Sequence, residues 1–178
     1  MKKLKLEELN RKTVDDFKSS EKIPVCVVLD DVRSMLNVGS IFRTSDAFLV
    51  EKIYLCGITG QPPHREIQKT ALGATESVDW EYYEEASLLI DKLKADNYII
   101  TGIEQTDHSA YLNDFVVTGN QKYALVFGNE VEGINDNLLD KLDIALEIPQ
   151  HGVKHSLNVS VAAGIVLFKF FESLKTTF

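Results

Sequence analysis

The chain has 178 residues, 44% of them hydrophobic and 26% charged, with a net charge of −8. This is enough for one domain with a sizeable core, and the composition is that of an ordinary globular protein rather than a disordered one. The longest apolar run near the C-terminus, Val161 to Phe168, is too short to span a bilayer, and the acidic balance weighs against a nucleic-acid binder held by charge alone.

The N-terminus, Met1 to Glu8, has no apolar signal-peptide core. Cys26 and Cys56 each sit in an apolar run, the setting of buried, reduced thiols. The expected location is cytoplasmic. Charge is uneven along the chain: residues 1–22 hold seven Lys/Arg and five Asp/Glu, the remainder twelve and twenty-two. Residues 1–22 therefore read as a basic helical extension on an acidic body, 23–178.

Leu4, Leu6, Leu9, Val14 and Phe17 recur at helical spacing, which predicts a helix over 4–19. Pro24 to Leu29 is a continuous β-branched run, the pattern of a strand buried on both faces. Asn37 is placed to cap a helix running to Phe48. Further strands are expected at 52–56, 78–82, 98–103, 122–127 and 144–148. Helices are expected at 64–72, with Gly73 as its stop, and at 84–95, 135–141 and 156–174; residues 107–120 read as irregular. Strands alternating with helices predict an α/β fold with a mostly parallel sheet covered on both faces. The last helix is apolar around most of its circumference, from Val159 through Phe171. Such a helix needs burial on more than one side, so a two-fold homodimer through it is expected.

Three absences narrow the chemistry. There is no G-x-G-x-x-G after the first strand, no P-loop and no G-x-S-x-G, which removes the common dinucleotide, nucleoside-triphosphate and serine-hydrolase designs. His151 and His155 are four apart, but Gly152 places them in a loop and no third ligand is suitably spaced, so no metal is expected. On the positive side, Val126 to Gly133 and Ile148 to Ala162 put glycines with amide and hydroxyl side chains where buried strands stop, which is where open α/β sheets bind ligands. A third segment, Asn37 to Ala47, begins a helix with Gly39 and Ser40 able to expose backbone N–H groups to an anion.

In this order the segments read N-x-G-x-I-x-R-T-x-D-A, F-G-N-E-x-x-G and I-P-x-x-G-x-x-x-S-L-N-V-x-x-A, with Ala71-Leu72-Gly73-Ala74 between the first two. Together they resemble the SpoU/TrmH family of RNA ribose 2′-O-methyltransferases, of the SPOUT superfamily, over about residues 23–172. Three motifs in order are far more specific than any one of them. The resemblance implies S-adenosyl-L-methionine as cofactor, a C-terminal trefoil knot that general topology rules would have rejected, and a homodimer.

It also implies site residues. Cofactor is expected at Ile103 and Glu104, at Phe127, Gly128, Asn129 and Gly133, and at Ile148, Pro149, Gln150, Ser156 and Leu157. Arg43, Asn37, Glu130, Ser156 and Asn158 are the expected catalytic group. By family analogy Arg43 is the base, although a guanidinium keeps its proton to above pH ~12; clamping a phosphate and stabilising an oxyanion is the other role open to it. The expected substrate is tRNA, recognised by the basic N-terminal helix and the dimer cleft. The alternatives are 23S rRNA, a knotted RNA-binding module without catalysis, and a nucleotide-binding protein unrelated to RNA.

Overall fold

The computed structural model describes residues 1–175; the last residues of the expected 23–178 domain lie outside the described residues. The β-branched and apolar runs form strands β1 (Ile23–Asp30), β2 (Val50–Cys56), β3 (Trp80–Tyr83), β4 (Tyr98–Ile103), β5 (Ala110–Tyr111), β6 (Lys122–Phe127) and β7 (Ile144–Glu147). Among the described residues they make one sheet in the order β3-β2-β1-β6-β4-β7-β5, with every pairing parallel. Helices α2 (Met35–Ala47), α3 (Arg65–Ala71), α4 (Ala74–Ser77) and α7 (Val159–Leu174) contribute to one core layer, and α5 (Ala86–Ala95) and α6 (Asp136–Leu139) to the other.

Alternation along β1 explains the two layers. Val25, Val27 and Leu29 point into the core that holds Ile41, Phe42, Val166 and Phe170. Cys26 and Val28 point to the opposite one, with Leu89, Ile90 and Leu93. A strand with helices on both faces has no polar side to show, which is why its sequence is continuously apolar. Both cysteines are free and buried, and burial pushes the Cys56 thiol up to about 12.

Several boundaries differ from the sequence expectation, each for a local reason. The predicted helix over 4–19 is two short pieces, a 3-10 turn at Leu6–Leu9 and α1 (Val14–Ser19). Asn10, at φ 45°, ends the first; Thr13 caps the second by accepting from the Asp16 N–H while the Asp16 carboxylate accepts from the Thr13 N–H. The cap of α2 is Ser34, whose hydroxyl accepts from the Asn37 N–H at 3.3 Å, so Asn37 lies inside the first turn with its side chain free for other work. Leu72, at φ 50°, terminates α3, and Gly73, at φ 92°, opens the unpredicted α4. The irregular stretch contains β5 at the sheet edge.

The last helix begins at Val159 with Asn158 as its cap, leaving Ser156 in the preceding loop. Ala163, Val166, Leu167 and Phe170 are buried, whereas Val161 (50% exposed), Ile165 (41%) and Phe168 (51%, its ring against Phe48) form a half-exposed apolar stripe on another side. Among the described residues no helix is long and apolar enough to cross a membrane.

Helices α2 and α3 meet at Gly39, where an added Cβ would sit 2.2 Å from Thr70 Oγ1 and 2.3 Å from the Ile67 carbonyl oxygen. The second contact is backbone and cannot rotate away. Gly39→Ala therefore loses roughly 1–3 kcal/mol of stability despite alanine's better helix propensity, which urea titration measures. A variant as stable as the parent would mean that α3 moves aside freely.

Candidate functional site

Strands β6, β4 and β7 are neighbours, so the loops after their C-terminal ends converge. They enclose a cavity of about 240 Å³. Ile103, Glu104, Phe127, Gly128, Asn129, Gly133, Ile148, Gln150, Ser156 and Leu157, all expected from the sequence, line it together with Glu130. Val131, Glu132, Val159 and Ala162 also line it and were not foreseen. Pro149 does not: it lines only an adjoining cavity of about 470 Å³, whereas Ile148 and Gln150 on either side of it line both.

The loop shapes are set by close packing. A Cβ on Gly128 would lie 2.2 Å from backbone atoms of Gly133 and Ile134, so only glycine lets the two ends of the 128–133 loop pair, as they do through the Asn129–Gly133 bridge. Gly133 has φ 74° and faces Glu104. The Glu104 carboxylate accepts from the Ile134 N–H at 3.0 Å and the Gln105 N–H at 2.9 Å, which fixes one loop against the next. Asn129 holds its own turn, accepting from the Val131 N–H, and donates to the Asp31 carbonyl at 2.9 Å.

Glu130 is the junction. Its carboxylate accepts from the Arg33 N–H (3.0 Å), the Ser34 N–H (3.0 Å) and Asn37 Nδ2 (2.9 Å). Two of those donors are backbone groups just before α2, where an anion is favoured. Burial works to raise the Glu130 pKa, but these hydrogen bonds outweigh it and hold the carboxyl below the usual glutamate value. Asn37 Oδ1 in turn accepts from Asn158 Nδ2 at 3.1 Å, and Asn158 Oδ1 caps α7 through the Ser160 N–H. The three sequence motifs are thus joined by one hydrogen-bonded chain. Arg43 stands apart from it: it is exposed, nearly two turns along α2 from Asn37, has no polar partner among the described residues and does not line the cavity. Asp46, three residues further along the helix, instead takes a hydrogen bond from the Ser77 hydroxyl. His151 and His155 are exposed in the loop before α7.

Sequence reasoning passed over Asp30 and Asp31. Asp30, 5% exposed at the end of β1, has Oδ2 buried without a hydrogen-bond partner among the described residues. Burial, with the neighbouring Asp31 carboxylate, pushes it up to about 6. Paired acids directly after a buried strand were the visible signal.

Residues 24–168 match the family described as the SpoU rRNA Methylase family. The chain belongs to this family. Among SpoU relatives, it is 28% identical over 148 residues to a tRNA (guanosine(18)-2′-O)-methyltransferase of Borreliella burgdorferi, covering 83% of this chain and 66% of that protein. It spans 61–66% of the length of the curated SpoU relatives it matches first. Its fold superposes on the A. aeolicus TrmH/SpoU tRNA modifying enzyme with a TM-score of 0.80 at 24% identity, covering 90% of this chain and 80% of that one. It also superposes on an AdoMet-bound rRNA methyltransferase from Sinorhizobium meliloti, with a TM-score of 0.78 at 25% identity, covering 92% and 60%.

Replacing Glu130 by Gln keeps the shape but puts an amide donor against donors. Glu130→Gln is expected to lose roughly 1–3 kcal/mol at neutral pH. The sign with pH follows from a native-state pKa below the unfolded value: the carboxylate's contribution is full above about pH 4.5 and is lost as pH falls through the native-state value. Denaturant titrations of the two proteins should therefore diverge at pH 7 and draw together on acidification; a constant gap would refute the ionic account.

Proposed function

We propose that the chain is an S-adenosyl-L-methionine-dependent methyltransferase acting on a ribose 2′-hydroxyl of RNA. The observation that carries this reading is the junction of the three motifs, in which Glu130, Asn37 and Asn158 tie the donor cavity to the helix that bears Arg43. The cavity suits the cofactor chemically: Ile103, Ile148 and Leu157 offer apolar walls for an adenine ring, and strand-end backbone offers donors and acceptors for its edge. Once bound, the cofactor supplies a methyl group already activated on a sulfonium, so the chain's own residues need only orient the acceptor, exclude water and ease the loss of the hydroxyl proton.

Arg43 is the residue for the acceptor. An exposed, unpaired guanidinium is a bidentate phosphate ligand and a stabiliser of a developing alkoxide. Asn37 fixes the helix that carries it, and Ser156, in the cavity wall, is placed to hydrogen-bond the ribose.

tRNA is the favoured substrate, on the name of the Borreliella burgdorferi relative; the Sinorhizobium meliloti enzyme supports rRNA as the second reading. The finer architecture belongs to the same proposal. A trefoil knot in the C-terminal part is supported by the placement of β6 between β1 and β4 and by the stitching of 148–158 back to Asn37 and Gln105. A homodimer is supported by the half-exposed apolar stripe of Val161, Ile165 and Phe168. Residues 1–22 act as a basic extension to the 23–178 domain, and a cytoplasmic site of action fits an RNA substrate and two free thiols.

Arg43→Ala should reduce tritiated-methyl transfer to RNA by roughly 10²–10³-fold. Affinity for S-adenosylhomocysteine, measured by calorimetry, should not change, since Arg43 does not line the donor cavity. Equal activity of variant and parent would remove Arg43 from the reaction.

A further inference from the structure

The adjoining cavity of about 470 Å³ shares Gln105, Glu147, Ile148 and Gln150 with the donor cavity and opens toward the sheet edge. Its remaining walls combine an aromatic ring, an amide, two imidazoles and one lysine. Tyr111 is 52% exposed on β5, the last strand of the sheet, and neither its ring nor its hydroxyl has a partner among the described residues. The same cavity is lined by His151, Gly152, Lys154 and His155, from a segment with no acidic residue whose residues are all exposed. The cavity thus holds one lysine and one carboxylate, Glu147, on a body whose residues after 22 hold twelve Lys/Arg against twenty-two Asp/Glu.

Both walls are tied to the donor site. Tyr111 pairs with Glu147 in the β5–β7 ladder, and the Leu112 N–H donates to the Glu147 carbonyl at 2.9 Å. Gln105 Nε2 donates to the His155 carbonyl at 3.0 Å. Neither wall can shift without moving a residue that lines the donor cavity.

We infer that this second cavity is the docking site of the acceptor nucleotide, an inference that rests on the RNA methyltransferase reading. The base stacks on Tyr111, as bases do on exposed aromatic side chains in single-stranded RNA sites. Asn113 and Gln150 meet its polar edge, and the Glu147 carboxylate accepts from an amino or imino N–H. Lys154, with the imidazoles of His151 and His155, holds the flanking phosphates. The acceptor is therefore a nucleotide turned out of its helix, so that its ribose meets the wall the two cavities share.

The test uses the full chain and labelled total tRNA from cells lacking this protein, with S-adenosylhomocysteine present. Tyr111→Ala should weaken tRNA binding roughly ten-fold or more and raise the KM for tRNA alike, and Tyr111→Phe, which keeps the ring, should restore both. Lys154→Ala should weaken binding and lower its salt slope by about one. Affinity for S-adenosylhomocysteine should stay at the parent value in all three, which also reports an intact fold. Parent-like tRNA binding by Tyr111→Ala overturns the inference, as does a parallel loss of S-adenosylhomocysteine affinity, which would make Tyr111 a support of the donor cavity. A parent protein that binds this RNA but transfers no methyl group overturns the methyltransferase reading while the binding series still decides the docking site; one that binds neither this tRNA nor ribosomal RNA from the same cells overturns both.

Discussion

A single carboxylate holds the site together. Glu130 reaches Asn37 across 93 residues of sequence, and the backbone before α2 across 96 and 97. An isolated partly buried carboxylate is costly, and three donors offset that cost only if all stay in place. The arrangement is therefore cooperative. The 128–133 loop, the start of α2 and, through Asn37 and Asn158, the start of α7 take up their positions together. A site made of three loops gains the precision of helix ends and strand ends, whose own geometry is fixed by the core.

The same logic explains why glycine sits at two positions in one short loop. Gly128 allows the loop ends to touch, and Gly133 supplies the left-handed turn that brings the Ile134 N–H onto Glu104. Glu104 and Glu130 thus do parallel work on opposite sides of β6: each satisfies backbone donors of a neighbouring segment, and neither needs a cation. Polar backbone at the rim is kept paired, and the cavity keeps its apolar walls.

Much of this was legible in the sequence, unevenly so. Strands β1, β4 and β6 announce themselves because burial on both faces leaves mostly apolar residues between their ends, a pattern that local propensity reinforces. The second and third motifs mark most of the residues that line the first cavity, and Ile103 and Glu104 come from the resemblance. What stayed hidden depends on pairing over distance. Asn37 reads as a helix cap until Ser34 is seen to do that work and Glu130 is seen to claim the Asn37 amide. Ser156 and Asn158 compete for one cap on equal local grounds, and the contact with Asn37 accompanies the outcome. Asp30 is a buried carboxyl that no periodicity exposes, and β5 is two residues whose strand character comes entirely from β7.

The distribution of acid around the cavity bears on how a polyanion can reach it. Beyond the Asn129 loop lies a separate cavity of about 710 Å³ lined by Asp30, Asp31, Glu132 and Asp136, with Arg33 as its one cationic lining residue. Carboxylates so close together repel phosphate, and part of that field is buried where salt screens it weakly. The opposite flank carries Lys154 between two imidazoles, with Glu147 as its one carboxylate. On the proposed RNA reading, a phosphodiester chain is repelled more strongly on one side of the cavity than on the other. An acidic body and an RNA substrate are compatible on this account, because orientation needs a gradient of charge across the site and not a positive total.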